Sequence, residues 1–146
     1  MSLQDWLKNR WLTEHTTNAR EISEMFDAVN QNLADSNVKG LSPDGRLTSA
    51  YGAALRAATI ALLAAGYRAT REQFHYRVIQ SLAYTIKADS AIIDSLDQFR
   101  KKRNFSAYDQ IGNISDYEAE SMIVLAYELR DLVINWLIET HPDLME

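Results

Sequence analysis

Apolar residues recur three or four positions apart along most of this chain, which is the spacing of one buried face of an α-helix. The clearest case lies within residues 17–34, where the buried stripe consists of Ile22, Met25, Phe26, Val29 and Leu33. No stretch alternates apolar and polar residues for long enough to predict a β-strand. The pattern therefore predicts an all-α protein.

The next predicted helix has a clear start and a clear end. Ser42 can cap its first turn, and Pro43 suits the first helical position because its ring fixes a helical φ. Gly66 ends it, since glycine tolerates the positive φ that is common after a last helical turn. Many alanines lie between these limits. Because small side chains let a neighbouring helix approach closely, we expect this helix to be central.

Two more helices are predicted in the middle of the chain. Thr70 and Gln73 have the Thr-x-x-Gln spacing of a capping box, and the apolar stripe that follows reaches Ile86. Another helix begins at Asp89 or Ser90. These predictions leave short connections, which favour neighbouring helices that run in opposite directions.

The last helix completes the predicted architecture. Ser115 and Glu118 form a second capping box, and Pro142 disfavours helix at the residue before it. With a short amphipathic helix over residues 2–12, the sequence predicts an antiparallel four-helix bundle with an extra short N-terminal helix. No low-complexity linker or internal repeat is present, so residues 1–146 are predicted to form a single domain.

Composition narrows the function classes. The chain has no cysteine, which excludes disulfides, thiolate metal sites and a cysteine nucleophile, and which fits a reducing cytoplasm. The longest apolar run, Ala57 to Gly66, is too short for a membrane span, and Met1–Asp5 lacks the charge order of a signal peptide. We therefore predict a cytoplasmic protein without a membrane partner. Its net charge is −5, so contact with nucleic acid requires a local basic patch.

Motifs for cofactor or metal chemistry are absent from the sequence. Nothing resembles a phosphate loop, a dinucleotide fingerprint or a hydrolase nucleophile elbow. Glu72 and His75 have the Glu-x-x-His spacing of di-iron bundles, but neither His15 nor His141 has a glutamate three residues before it. We therefore predict neither a cofactor nor a metal site.

One segment stands out because it places four cations in a row at a predicted helix end. Arg100, Lys101, Lys102 and Arg103 could simply interact with the negative end of the helix dipole. That interpretation leaves Asn104 and Tyr108 unexplained. The sequence allows the helix to stop near Arg103 or to continue through Tyr108. An Arg, an Asn and a Tyr at this spacing can converge on one phosphate if the segment is helical or tightly turned, and Arg supplies a bidentate fork for phosphate oxygens. The four cations are therefore predicted to bind phosphate or RNA.

The same segment resembles the signature of the HEPN family, in which an Arg is followed by a polar residue and, a few positions later, by a His. Arg103–Asn104 matches the start of that signature. The stretch from Gly45 through Ala54, followed by Ala65–Arg68 and His75–Arg77, is similar to the second and third helices of one HEPN subgroup. The resemblance covers residues 17–140, and it implies a helical bundle that acts as a homodimer.

This chain departs from the family signature at one position. Tyr108 stands where the histidine is expected, and no other histidine follows before His141. HEPN ribonucleases cleave RNA without metal and use the RNA's own 2′-hydroxyl. A tyrosine, with a reference pKa near 10, is a poor general base at neutral pH. The resemblance thus implies Arg103, Asn104 and Tyr108 as site residues. His75 and Arg77 are either accessory residues of the site or ordinary structural and surface residues.

Three functions follow from this reading. The first is a catalytically degenerate HEPN-like domain that binds RNA, a nucleotide or a partner protein through a basic cleft. The second is an active, toxin-like, metal-independent endoribonuclease that acts as a homodimer. The third is a plain helical adaptor. The resemblance also implies a partner nucleotidyltransferase or antitoxin.

Overall fold

The computed structural model describes residues 1–108 and 114–146, with the side chains of residues 105–108 excluded. The protein is mostly helical, as predicted. Its helices are α1 (Leu3–Lys8), α2 (Ala19–Ser36), α3 (Pro43–Ala64), α4 (Phe74–Ser81), α5 (Ser90–Tyr108) and α6 (Asp116–Thr140), followed by a 3₁₀ turn at Pro142–Met145. Two short strands, β1 (Leu12–Glu14) and β2 (Tyr67–Ala69), accompany them.

Several predicted helix ends are confirmed. The Ser42 hydroxyl accepts a hydrogen bond from the Gly45 amide at 3.1 Å, and thus caps α3. At the start of α6, the Glu118 amide donates to the Ser115 hydroxyl and the Ser115 amide donates to the Glu118 carboxylate, both at 3.1 Å. Gly66 follows α3 with a φ of +100°, which a residue with a side chain rarely adopts.

The absence of strands was a wrong prediction, as was a first helix reaching Leu12. Helix α1 ends at Lys8, and Arg10 adopts a left-handed φ of +63° that turns the chain. Strand β1 then pairs antiparallel with β2, with Leu12 opposite Ala69. Each strand has three residues, so its alternation is too brief to be recognised in the sequence.

The capping box at Thr70 was also a wrong prediction. The Thr70 hydroxyl donates to the Trp11 carbonyl at 3.1 Å, so it ties the chain to the residue before β1. Helix α4 begins after Gln73, which has a φ of +54° and makes no side-chain capping bond. The helix then stops at Ser81 instead of reaching Ile86, and the Ser81 hydroxyl donates back to the Val78 carbonyl at 2.6 Å.

Helix α3 is the centre of the core. It packs against α2 and α6, and its alanines at positions 50, 53, 54, 57, 58 and 61 are buried. By length and composition α3 could cross a membrane, contrary to the short apolar run read from the sequence. However, 61% of the relevant stretch is buried within the protein, which is typical of a core helix. Helix α5 lies to one side, against α3 and α4, and this position carries the basic segment to α4.

Candidate functional site

Helix α5 carries the basic segment on its last turns. Because it continues to Tyr108, residues three and four apart lie on the same side, so Arg100, Arg103 and Asn104 form one row. Arg100 and Asn104 line a groove against α4, and Arg103 lines a neighbouring cavity beside α3. The helix therefore places Arg100 and Lys101 in one depression and Arg103 in the other, whereas Lys102 lines neither.

Three of the four cations are paired with carboxylates. Arg100 Nε lies 2.8 Å from Asp97 Oδ1, Lys101 Nζ lies 3.4 Å from Asp97 Oδ2, and Lys102 pairs with Glu118 of α6. Burial alone would raise the pKa of Asp97, but hydrogen bonds and charge from Arg100 and Lys101 lower it overall. The hydrogen bond from Lys102 lowers the pKa of Glu118. These three cations are therefore already partly neutralised.

Arg103 is in a different environment. Within residues 1–104 and 114–146 no carboxylate pairs with it, and its Cζ lies 5.7 Å from the centroid of the Tyr51 ring, a loose cation–π contact. Its side chain therefore keeps its charge available at the wall of the cavity.

Arg103 faces a hydrogen-bonded pair of side chains, Tyr51 and His75. The Tyr51 hydroxyl lies 3.2 Å from His75 Nδ1, which joins the core helix α3 to the first turn of α4. Tyr51 is buried, and burial raises its pKa to about 12, so it stays a neutral phenol. Burial also lowers the pKa of His75, and the charges of Arg103 and Arg100 lower it further. His75 is therefore a neutral imidazole at pH 7.

The two depressions adjoin each other. The depression beside α3 is called the Tyr51 cavity; it measures about 370 Å³, and its lining includes Tyr51, Arg56, His75 and Arg103. The depression between α4 and α5 is called the α4–α5 groove; it measures about 700 Å³, and its lining includes Arg71, Gln73, Tyr76, Arg100, Lys101 and Asn104. Phe74 and His75 line both, so they form the wall between them. We refer to the two depressions together as the cleft beside α4.

The remaining predicted residues are placed as follows. Arg77 packs on Trp11, with its Cζ 3.6 Å from the centroid of a Trp11 ring. It is outside the lining of both depressions. The backbone of Tyr108 belongs to α5, but its side chain lies outside the described part of the protein. Tyr108 as a site residue therefore stays a prediction.

Sequence reasoning missed several residues of the cleft, namely Tyr51, Arg71, Gln73, Tyr76 and Asp97. Tyr51 belongs to the apolar stripe of α3 and carries no local sign of a site. Asp97 could have been found, because an acid three residues before Arg100 and four before Lys101 is the usual spacing of helical ion pairs.

Comparison with known proteins adds no relative. The chain matches no protein-family model, no curated protein and no solved structure. Within the described residues, no group of three or more histidine or acidic side chains is placed to hold a metal ion.

Proposed function

We propose that this protein is a cytoplasmic, HEPN-like antiparallel four-helix domain that binds RNA through the cleft beside α4. The observation that carries the proposal is Arg103, a cation without a carboxylate partner among the described residues, in a cavity that also holds the neutral His75. Arg binds phosphate oxygens with two parallel hydrogen bonds, and a half-buried site strengthens such a contact.

The neighbouring groups fit a phosphodiester. Protonation of His75 becomes easier when an anion binds beside it, so the imidazole can add a second positive donor. Arg71 and Lys101 extend the positive surface along the groove. An extended chain of phosphates uses such a row of cations better than a single small anion does. A negative net charge does not oppose this, because Arg71, Arg100 and Lys101 line the same groove.

RNA cleavage is a second candidate, and the position of His75 favours it. The missing motif histidine is the main argument against an enzyme, and His75 stands in the same cavity as Arg103. If the Tyr51 oxygen accepts a hydrogen bond from Nδ1–H, then Nε2 is free to take a proton. His75 would take the proton of a 2′-hydroxyl, a new O2′–P bond would form and the P–O5′ bond would break. Water would protonate the departing 5′-oxygen.

Dimerisation and a protein partner belong to the same proposal. Helix α6 carries three exposed side chains separated by multiples of seven residues, so they share one face. They are Tyr117 (80% exposed), Val124 (63%) and Ile138 (53%). Such a stripe suits a second copy of the chain or a partner nucleotidyltransferase or antitoxin.

The test compares RNA binding by the wild type, Arg103→Ala and Arg20→Ala. Arg20 is a matched control, because its side chain is 88% exposed on α2 and lines neither depression, and its loss changes the net charge equally. With labelled single-stranded RNA in EDTA, we expect Arg103→Ala to weaken binding about tenfold or more, since a charged hydrogen bond contributes about 1.5–3 kcal/mol. We expect Arg20→Ala to change it by less than about twofold.

The same samples also decide between binding and cleavage. Incubated RNA is separated on a denaturing gel, with His75→Gln included. Intact RNA that is bound by the wild type supports a binding domain, whereas cleavage that is lost in both Arg103→Ala and His75→Gln supports the enzyme. Equal affinity of the two arginine variants, or no RNA binding by the wild type, would overturn the proposal and leave the adaptor interpretation.

A further inference from the structure

The α4–α5 groove has an aromatic wall as well as cations. Tyr76 lies in the first turn of α4 and is 37% exposed, although most aromatic side chains of this protein are buried or half-buried. The guanidinium carbon of Arg100 lies 5.4 Å from the centre of its ring. Because the guanidinium lies over one face of the ring, a ligand that is itself flat would stack on the part of the Tyr76 ring that stays exposed.

The rest of the groove supplies polar groups of both kinds. The side chains of Gln73 and Asn104 each carry two N–H donors and a carbonyl acceptor, and both line the groove. Donor and acceptor together are what the edge of a nucleobase requires, whereas a phosphate alone needs only donors. The volume of about 700 Å³ lies inside the usual range for small-molecule sites, roughly 300–1,000 Å³.

We infer that the α4–α5 groove binds an unpaired nucleobase of single-stranded RNA, stacked against Tyr76 and read at its edge by Gln73 and Asn104. This inference rests on the proposed function and names its substrate class. A base inside a duplex has both faces covered by its neighbours, so a groove with an aromatic wall selects single strands.

The adjoining cavity explains how base and backbone are bound together. Phe74 and His75 separate the groove from the Tyr51 cavity, so a nucleotide with its base in the groove has its phosphate beside this wall. Arg103 lines the far side of the same wall. In this arrangement the Tyr51 cavity binds the phosphate and the α4–α5 groove binds the base.

The experiment measures fluorescence anisotropy of three labelled probes of equal length: a single-stranded oligoadenylate, the same backbone with abasic sites, and a duplex. The variants are Tyr76→Ala, Tyr76→Phe and Val38→Ala, the last being the loss of an exposed apolar side chain between α2 and α3. We expect Tyr76→Ala to weaken single-strand binding about tenfold, in the range found for stacking platforms. Tyr76→Phe keeps the ring and should bind as the wild type does, and Val38→Ala should as well.

The abasic probe separates base stacking from phosphate binding. Wild-type protein should bind it about as weakly as Tyr76→Ala binds oligoadenylate, and Tyr76→Ala should not weaken it further. If the wild type binds the abasic probe or the duplex as tightly as the single strand, the base-stacking inference is wrong while phosphate binding stands. If no probe binds, both the inference and the proposed function fail.

Discussion

Arg100 and Arg103 lie one turn apart on α5, yet their surroundings differ. The side chains of Arg100 and Asp97 are 20% and 15% exposed and form an ion pair, so much of the Arg100 charge is balanced. Three and four residues before Arg103 stand Arg100 and Phe99, neither of which is an acid. A cation with an acid one turn earlier is paired within the helix, whereas a cation without one keeps its charge for a ligand. A run of basic residues is therefore not a uniform patch.

Removing the Asp97 carboxylate should have the largest effect on the difference between Arg100 and Arg103. Asp97→Asn frees Arg100 and Lys101 at once, so we expect RNA affinity to rise about three- to tenfold, as for one or two new phosphate contacts. The dependence of affinity on salt should also become steeper. Binding titrations at several salt concentrations measure both effects.

Asp94→Asn is the matched control for this prediction. Asp94 is exposed on the same helix, and its loss changes the net charge by the same amount. A rise in affinity equal to that of Asp97→Asn would show that overall charge, and not the release of Arg100, controls binding.

Much of the helical framework could be predicted from the sequence because the determinants are local. The cap at Ser42, the capping box at Ser115 and the positive φ of Gly66 depend on neighbouring residues alone. The strand pair and the start of α4 could not be predicted in this way. Thr70 has a partner 59 residues away, at Trp11, and this bond replaces the local cap that its spacing suggests.

The candidate site was only partly predictable for a related reason. Arg103 and Asn104 stand out because they belong to a dense local motif. His75 was found as an isolated histidine, but its hydrogen bond to Tyr51 depends on the packing of α4 against α3. Tyr76 looks like an ordinary amphipathic residue until α5 is placed beside it. Contacts between elements, not residue types, decide which of these side chains share a cleft.

A smaller effect should be visible in the titration of His75. Burial lowers its pKa most, Arg103 comes next and Arg100 after that. We therefore expect the pKa of His75 to rise in Arg100→Ala and to rise further in Arg103→Ala. Imidazole signals followed by NMR against pH measure this order. A larger rise in Arg100→Ala would contradict the comparison.

The smallest expected effect concerns stability and pH. Since the pKa of His75 is lower in the folded protein than its reference of 6.5, the unfolded chain takes up this proton first as the pH falls. The free energy of unfolding should therefore decrease as the pH drops below 6.5 and level off once the folded histidine is also protonated, with a slope of at most about 1.4 kcal/mol per pH unit. The pKa values of Asp97 and Glu118 are lowered from reference values of 3.8 and 4.5, so these carboxylates change the free energy of unfolding only at more acidic pH.

Urea unfolding at closely spaced pH values should show the decrease in the free energy of unfolding in the wild type, a smaller decrease in Arg103→Ala and none in His75→Gln. If the slope is unchanged in His75→Gln, another group causes the pH dependence of stability, and the positive charges around His75 do not.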